Sequence, residues 1–353
     1  MKIQTQRRGL AAVAAAAVVL ALGACSSSGS SGSSGSGAAD ASSSGTPMVA
    51  SNVTFSLSPG SLTNLAEYVG LDMGYFQKYG IGATKIASSS GSFTLQLLET
   101  NKLDFGAINI PSTILAAQTS KVDLRVAVGM ETHYPAALVC NKSSGVTSSY
   151  PAGVKQLVGK TIATDSPVSS STADLYISLK ANGIDPSQTK ITYISTGASA
   201  TVAALQANRV DCAMVYEPTQ TTLGNTVNTV IDIENGNCPP LVNQVKYNVL
   251  TVNNSYAQAN PKVVTAVQQA MVAITNLISD PANADTIAKG VSADYPGLSE
   301  TQLAALITRL APTFKDGAAI TQAQFNASLQ VYNEANGKNL KVSYSDIVLP
   351  MTS

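Results

Sequence analysis

Apolar positions along the chain change their period several times, and each change marks an element. Residues 53–58 alternate apolar and polar, the pattern of a half-buried strand, and Pro59-Gly60 breaks it before Leu62, Leu65 and Tyr68 recur at helical spacing. Residues 83–87 predict a second strand, 93–100 a helix and 103–108 a third strand. Short strands alternating with helices of about ten residues imply parallel βαβ units. After one more strand at 247–252 the pattern becomes helical throughout. Pro261 opens the first of these helices, a position where its missing N–H costs nothing, and Val263, Val264, Val267, Ala270, Met271, Ile274 and Leu277 follow at helical spacing. Residues 281–289, 299–310 and 321–335 predict further helices, none with a concentration of reactive groups, so they read as packing elements.

The middle of the chain repeats itself. Leu98-Glu99-Thr100-Asn101-Lys102-Leu103-Asp104 matches Leu205-Gln206-Ala207-Asn208-Arg209-Val210-Asp211, a displacement of 107 residues. At the same displacement Ser88-Ser89-Ser90-Gly91-Ser92 stands against Ser195-Thr196-Gly197-Ala198-Ser199, and with a small indel 53–65 corresponds to 160–175. Ordered matches at a nearly constant offset predict two similar α/β lobes. Asp104 and Asp211 fall where strands begin and read as turn or cap residues.

The N-terminus reads as an address. Lys2, Arg7 and Arg8 precede an apolar stretch of 15 residues ending Leu22-Gly23-Ala24-Cys25. A basic start followed by about 7–15 apolar residues is a secretory signal, too short for an ordinary span. The cleavage region resembles the lipobox of bacterial lipoproteins, which implies removal of residues 1–24 and lipidation of Cys25. Residues 25–50 then form a tether, mostly Ser, Gly, Ala and Thr, a composition that cannot bury a core. Arg7-Arg8 is flanked by Gln6 and Gly9, a poor match to twin-arginine export.

Charge and composition narrow the chemistry. The chain has 353 residues, with 21 Lys+Arg and 21 Asp+Glu; removing residues 1–24 takes three positive charges and no negative ones, leaving a body with 18 and 21. No basic run follows the first eight residues, which argues against nucleic acid as a partner. His133 is the one histidine, so a His-rich metal site is excluded and a Ser-His-Asp triad would depend on it. It sits beside Tyr134-Pro135, where it reads as a surface residue of a hinge. No G-x-S-x-G, P-loop or C-x-x-C occurs, and no cofactor or metal is expected. Cys140, Cys212 and Cys238 remain after export, enough for one bridge and one free thiol, and spacing alone does not choose the pair.

Three elements carry a family resemblance: Gly74-Tyr75-Phe76 with Lys78-Tyr79-Gly80-Ile81, residues 101–106 as a version of G-x-[LV]-D-[FV]-[GA], and Val215-Tyr216-Glu217-Pro218. With the lipobox, tether, paired lobes and helical tail, they make the chain resemble the extracytoplasmic solute-binding lipoproteins of ABC importers. The group resembled binds sulfonates, taurine, nitrate or thiamine-pyrimidine precursors. Two departures stand out: Asn replaces the usual Gly of the second element in both lobes, and the chain has no Trp. Asn also tolerates positive φ, so the turn can survive.

The resemblance implies an α/β, two-lobed periplasmic-binding-protein fold of type II, with a cleft between lobes. Lobe 1 is expected at 51–134 plus 246–353 and lobe 2 at 135–245. Ligands of parallel α/β units lie outside the carboxyl ends of the strands. In lobe 1 that condition selects Ser58, Gly60 and Ser61, then Ser90, Gly91 and Ser92, then Asn109, Ser112 and Thr113. In lobe 2 it selects Asp165, Ser166, Ser169 and Ser170, then Thr196 and Gly197, then Tyr216 and Glu217. Helix N-termini hold anions through free N–H groups without Arg or Lys, while single serines commonly just cap their helices. No Arg in these loops argues against a multiply charged anion. Glu217 is the expected acceptor for a ligand amine.

The implied partners are a small-molecule ligand, an ABC permease with its ATPase, and the membrane through the acyl anchor, with the protein a monomer. The alternatives are a ligand sensor that signals to a membrane receptor and an enzyme like the pyrimidine-precursor synthases of this fold. The missing His and Cys clusters speak against the second. In this fold the strand entering lobe 2 lies beside strands whose ends approach the hinge, which favours a Cys140–Cys238 bridge with Cys212 free; Cys212–Cys238 is the runner-up.

Overall fold

The computed structural model describes residues 48–119, 122–167 and 169–351; Cys25 and the leader up to residue 47 lie outside them. Among the described residues ten strands run in chain order: β1 (Ala50–Leu57), β2 (Ile81–Ala87), β3 (Phe105–Asn109), β4 (Leu124–Gly129), β5 (Ala136–Asn141), β6 (Thr161–Thr164), β7 (Lys190–Tyr193), β8 (Cys212–Tyr216), β9 (Val227–Asp232) and β10 (Asn248–Asn253). They form two five-stranded sheets, ordered β2-β1-β3-β10-β4 and β7-β6-β8-β5-β9. The two orders correspond position by position. In the first, β1 is parallel to β2 and β3, and β10 is antiparallel to β3 and β4. In the second, β6 is parallel to β7 and β8, and β5 is antiparallel to β8 and β9. Each sheet is therefore a βαβ core with one antiparallel strand, and that strand adjoins a crossing between the lobes.

The sequence repeat has a physical basis. Asp104 Oδ2 accepts the Thr54 N–H at 2.8 Å, and Asp211 Oδ2 accepts the Thr161 N–H at 2.8 Å. Each aspartate ties the start of the third strand of its unit to the first strand. Asn101 and Asn208 hold φ of 54° and 52°, the left-handed turn that Asn tolerates.

The first core centres on Phe55, stacked on Phe76 at 4.3 Å and on Phe105 at 5.3 Å. The Gly-Tyr-Phe element acquires its reason here. Gly74, at φ 70°, starts the short helix Tyr75–Lys78 that delivers Phe76. Gly70 leaves room for it: a Cβ there would lie 2.4 Å from the Phe76 ring. The helix Pro261–Ser279 lays Val263, Val267, Met271, Ile274 and Ile278 into this core. The helix Glu300–Leu310, closed at its start by a Ser299/Gln302 capping box, adds Leu303, Ile307 and Leu310. The second sheet has its own core around Leu138, Ile162, Leu175 and Met214, reached also by Ala327 and Val331 of the helix Gln322–Asn336. No helix among the described residues is long and apolar enough to cross a membrane.

The cysteine pairing differs from expectation. Cys140 bonds to Cys212, not to Cys238. The cause is register: β5 runs antiparallel to β8 with Ala136 opposite Tyr216, so Cys140 falls directly opposite Cys212, with Cα atoms 3.9 Å apart. On its other side Cys140 faces Asn228 of β9. Cys238 is buried and free, its thiol donating to Asn243 Oδ1 at 2.9 Å.

Candidate ligand-binding site

Six loops leave the carboxyl ends of β1, β2, β3, β6, β7 and β8 and line one cavity of about 440 Å³. Of the residues expected there, Ser58, Gly60, Ser61, Ser90, Gly91, Ser92, Asn109, Ser112, Asp165, Ser166, Ser169, Ser170, Thr196, Gly197, Tyr216 and Glu217 all line it. Thr113 does not. It is fully buried, with its hydroxyl bonded to Asn109 O at 3.2 Å and to Thr251 Oγ1 of β10 at 2.9 Å. One step further along its helix than Ser112, it turns to the sheet instead of the cleft.

The serines cap helices as well as lining the wall. Ser61 Oγ accepts Thr63 N–H, Ser90 Oγ accepts Phe93 N–H and Ser169 Oγ accepts Thr172 N–H. Capping leaves other first-turn N–H groups open: among the described residues no acceptor meets those of Gly91 and Ser92. The positive end of the helix Gly91–Glu99 thus reaches the cavity.

The two walls touch. Asn109 Nδ2 donates to Ser170 Oγ at 2.5 Å, Ser92 Oγ donates to Ser166 Oγ at 3.4 Å, and Leu62 N–H donates to Glu217 O at 3.0 Å. Behind them, at the crossings between sheets, the Tyr134 and Tyr247 rings lie 3.9 Å apart. Both hydroxyls donate to Asp174, at 2.7 and 2.5 Å. Burial pushes Asp174 up to about 7, against the pull of the Tyr247 and Tyr134 hydroxyls. His133 lies on the first crossing at φ 27°, with Nε2 3.2 Å from Asn243 O, and does not line the cavity.

Among the described residues no Lys, Arg or His side chain lines the cavity. Two carboxylates do, and they differ. Glu217, expected to meet a ligand amine, is buried and already holds three donors: its Oε1 takes Arg309 and the Thr221 hydroxyl, and its Oε2 takes the Thr221 N–H. Arg309 also reaches Glu234, with Nε 2.5 Å from Oε1. That arginine comes from the helical tail, so the loop sequences gave no hint of it. Asp165 accepts the Tyr216 hydroxyl and, at 3.1 Å, the Ser171 hydroxyl, both on Oδ2. Burial raises its pKa, and the Tyr216 and Ser171 hydroxyls oppose that shift.

Behind the lobe 1 wall lies a second polar layer that the strand-end rule does not find. Asn64 and Asn248 line the cavity. Asn64 Oδ1 accepts the Ser58 N–H at 2.9 Å and its Nδ2 donates to buried Glu67 at 3.1 Å. Asn248 Nδ2 bridges Thr63 O at 2.9 Å and Glu131 Oε1 at 2.5 Å. The Asn64–Glu67 spacing of a polar residue and a Glu three positions on was the one readable signal here. Glu67 Oε2 is buried without a partner. Burial pushes Glu67 up to about 8, opposed by a backbone hydrogen bond, and the Glu131 charge adds to the rise. Burial likewise holds Glu131 near 7.

A raised carboxyl stabilises the fold in its neutral form, below the unfolded pKa, and that contribution is lost as pH rises through the folded value. Stability should therefore fall between about pH 4.5, the ordinary value of a glutamate, and about pH 8. Glu67→Gln, which resembles the protonated acid, is expected to stabilise the protein by about 1–3 kcal/mol at pH 8 and far less at pH 5. Urea midpoints at the two pH values check this, and an equal effect at both would contradict it.

No group of three or more His, Cys, Asp or Glu side chains able to hold a metal occurs among the described residues. Residues 58–292 match the NMT1-like family. No curated protein is similar in sequence. Solved structures share the fold at low identity. The alkanesulfonate-binding protein SsuA of Xanthomonas axonopodis pv. citri, bound to MOPS, is 17% identical with a TM-score of 0.67 over 86% of this chain and 99% of its own. The periplasmic nitrate-binding protein NrtA of Synechocystis is 11% identical with a TM-score of 0.64, over 85% and 86%. The desulfurization enzyme DSZB is 13% identical with a TM-score of 0.54, over 81% and 93%. The matched segment runs from the first cavity loop into the helical tail and takes in every loop of the cavity wall; the chain is a member of the NMT1-like family with the periplasmic-binding-protein fold.

Proposed function

We propose that this protein is the solute-binding component of an ABC importer. It captures a small polar or anionic organic molecule between its lobes and delivers it to a membrane permease and ATPase. The observation that carries this reading is the cavity of about 440 Å³ lined by both halves of a duplicated α/β fold, with helix starts on either side. Supporting it, the fold is shared with proteins that bind alkanesulfonate and nitrate. In this reading lobe 1 is 51–134 plus 246–353, lobe 2 is 135–245, and the body is a monomer held outside the membrane by lipidated Cys25 and its tether. Capture, not catalysis, fits a cavity whose polar groups cap helices and pair with each other.

Thermal-shift measurement of the mature body against ethanesulfonate, taurine, nitrate and aminopyrimidines tests the reading. A ligand at 100 times its Kd should stabilise by about 2.7 kcal/mol. Binding should also compact the protein in small-angle scattering, as hinge closure does. Silence across this panel, or turnover of a bound compound, would overturn the proposal.

A further inference from the structure

The cavity presents one carboxylate oxygen that no group among the described residues satisfies. Asp165 uses Oδ2 for both the Tyr216 and Ser171 hydroxyls, and among the described residues nothing donates to Oδ1. The other lining carboxylate, Glu217, is buried and its charge is already paired with Arg309. Among the described residues no cationic side chain lines the cavity to neutralise Asp165. An anion placed there alone would meet a like charge with nothing to offset it.

A partly enclosed carboxylate without a cation favours a ligand that brings one. Tyr216 and Ser171 hold the carboxylate from one side and so fix its orientation. The open N–H groups of Gly91 and Ser92, on the opposite wall, suit the other end of such a ligand. We infer that Asp165 is the specificity-determining residue of this cavity and selects a small zwitterion, whose ammonium bonds Oδ1 while its anionic end lies at the helix starts. This rests on the capture function proposed above and narrows its substrate class. It moves the amine-binding role from Glu217 to a residue one strand away.

Taurine and 1-propanesulfonate make the test, because they differ by an ammonium in place of a methyl. Calorimetric titration of the mature protein should show taurine binding about 10- to 100-fold more tightly, the range of a hydrogen bond to a charged group. Asp165→Asn keeps an acceptor for Tyr216 and Ser171. It should remove the taurine advantage by weakening taurine, while 1-propanesulfonate, relieved of a like charge, binds at least as tightly as before. A merely structural role would weaken both probes alike. Equal affinities in the wild-type protein, or a parallel loss in the variant, would overturn the inference. If neither probe binds, the inference also fails, and nitrate or aminopyrimidine binding in the same titrations then shows that the capture function itself stands.

Discussion

Reduction of the Cys140–Cys212 bridge is expected to cost the body about 4 kcal/mol of unfolding free energy, the loop-closure entropy released when a crosslink spanning 72 residues is opened. The bridge closes a segment that includes β6, β7 and most of the second parallel unit. Those strands reach their sheet only through long connections, so the unfolded chain gains much freedom when the crosslink goes. Both cysteines are fully buried in the core of the second sheet, so reductant should act slowly on the native protein and quickly once it unfolds. The measurement is urea denaturation with and without reductant, beside the Cys140→Ala/Cys212→Ala variant. Both should move the midpoint down together. Cys238→Ala serves as the contrast: that thiol is free, and its loss should cost only about 1 kcal/mol, the ordinary scale of a buried substitution. A reductant-insensitive midpoint would contradict the expectation.

The same bridge shows where sequence reasoning stops. The duplication was legible because it rests on local chemistry. Asn101 and Asn208 make the same turn, and Asp104 and Asp211 accept the same kind of N–H from the neighbouring strand. Loops at strand ends were legible for the same reason, since a polar Ser/Gly stretch between a strand and a helix has one place to be in a parallel unit. Pairing across antiparallel strands was not. Cys140 meets Cys212 because of the register of β5 against β8, and a small slip in that register would part them. The surroundings of Glu217 were hidden for a related reason. Its loop predicts a carboxylate at the cavity, and a carboxylate is there, but its charge is spent on an arginine 92 residues further on. Thr113 shows the finest grain of the problem: adjacent residues of one helix start, Ser112 and Thr113, part between cavity and core.

Arg309 carries the other large effect. It lies in the last turn of the helix Glu300–Leu310 and bonds both Glu217, just beyond β8, and Glu234, just beyond β9. Both carboxylates are almost without solvent, at 1% and 6% exposure. Burial pushes Glu234 up to about 7; Arg309 works against that rise and the Glu217 charge adds to it. Arg309→Met would leave two neighbouring buried acids with no cation between them. Breaking a buried pair in this way costs about 3–5 kcal/mol. The Arg309 side chain is 39% exposed and Glu217 keeps its two Thr221 bonds, so we expect about 2–4 kcal/mol at pH 8. The loss should shrink toward pH 5, because an unpaired acid of raised pKa takes up its proton and the charge disappears. Arg309→Lys should recover only part of the loss, since a lysine cannot hold both carboxylates with a planar fork. Adding Glu217→Gln and Glu234→Gln to Arg309→Met should restore most of the stability, because the cost lies in stranded charge and not in lost packing. Urea midpoints of this series at the two pH values decide the matter. A loss that is independent of pH and not rescued by the glutamines would show that Arg309 acts through its aliphatic stem instead. In the proposed division into lobes, the helical tail belongs to one lobe and both acids to the other. The same variant therefore removes a tie that holds the walls of the cavity at their present separation, and it should also widen the distribution of lobe separations seen by scattering in the absence of ligand.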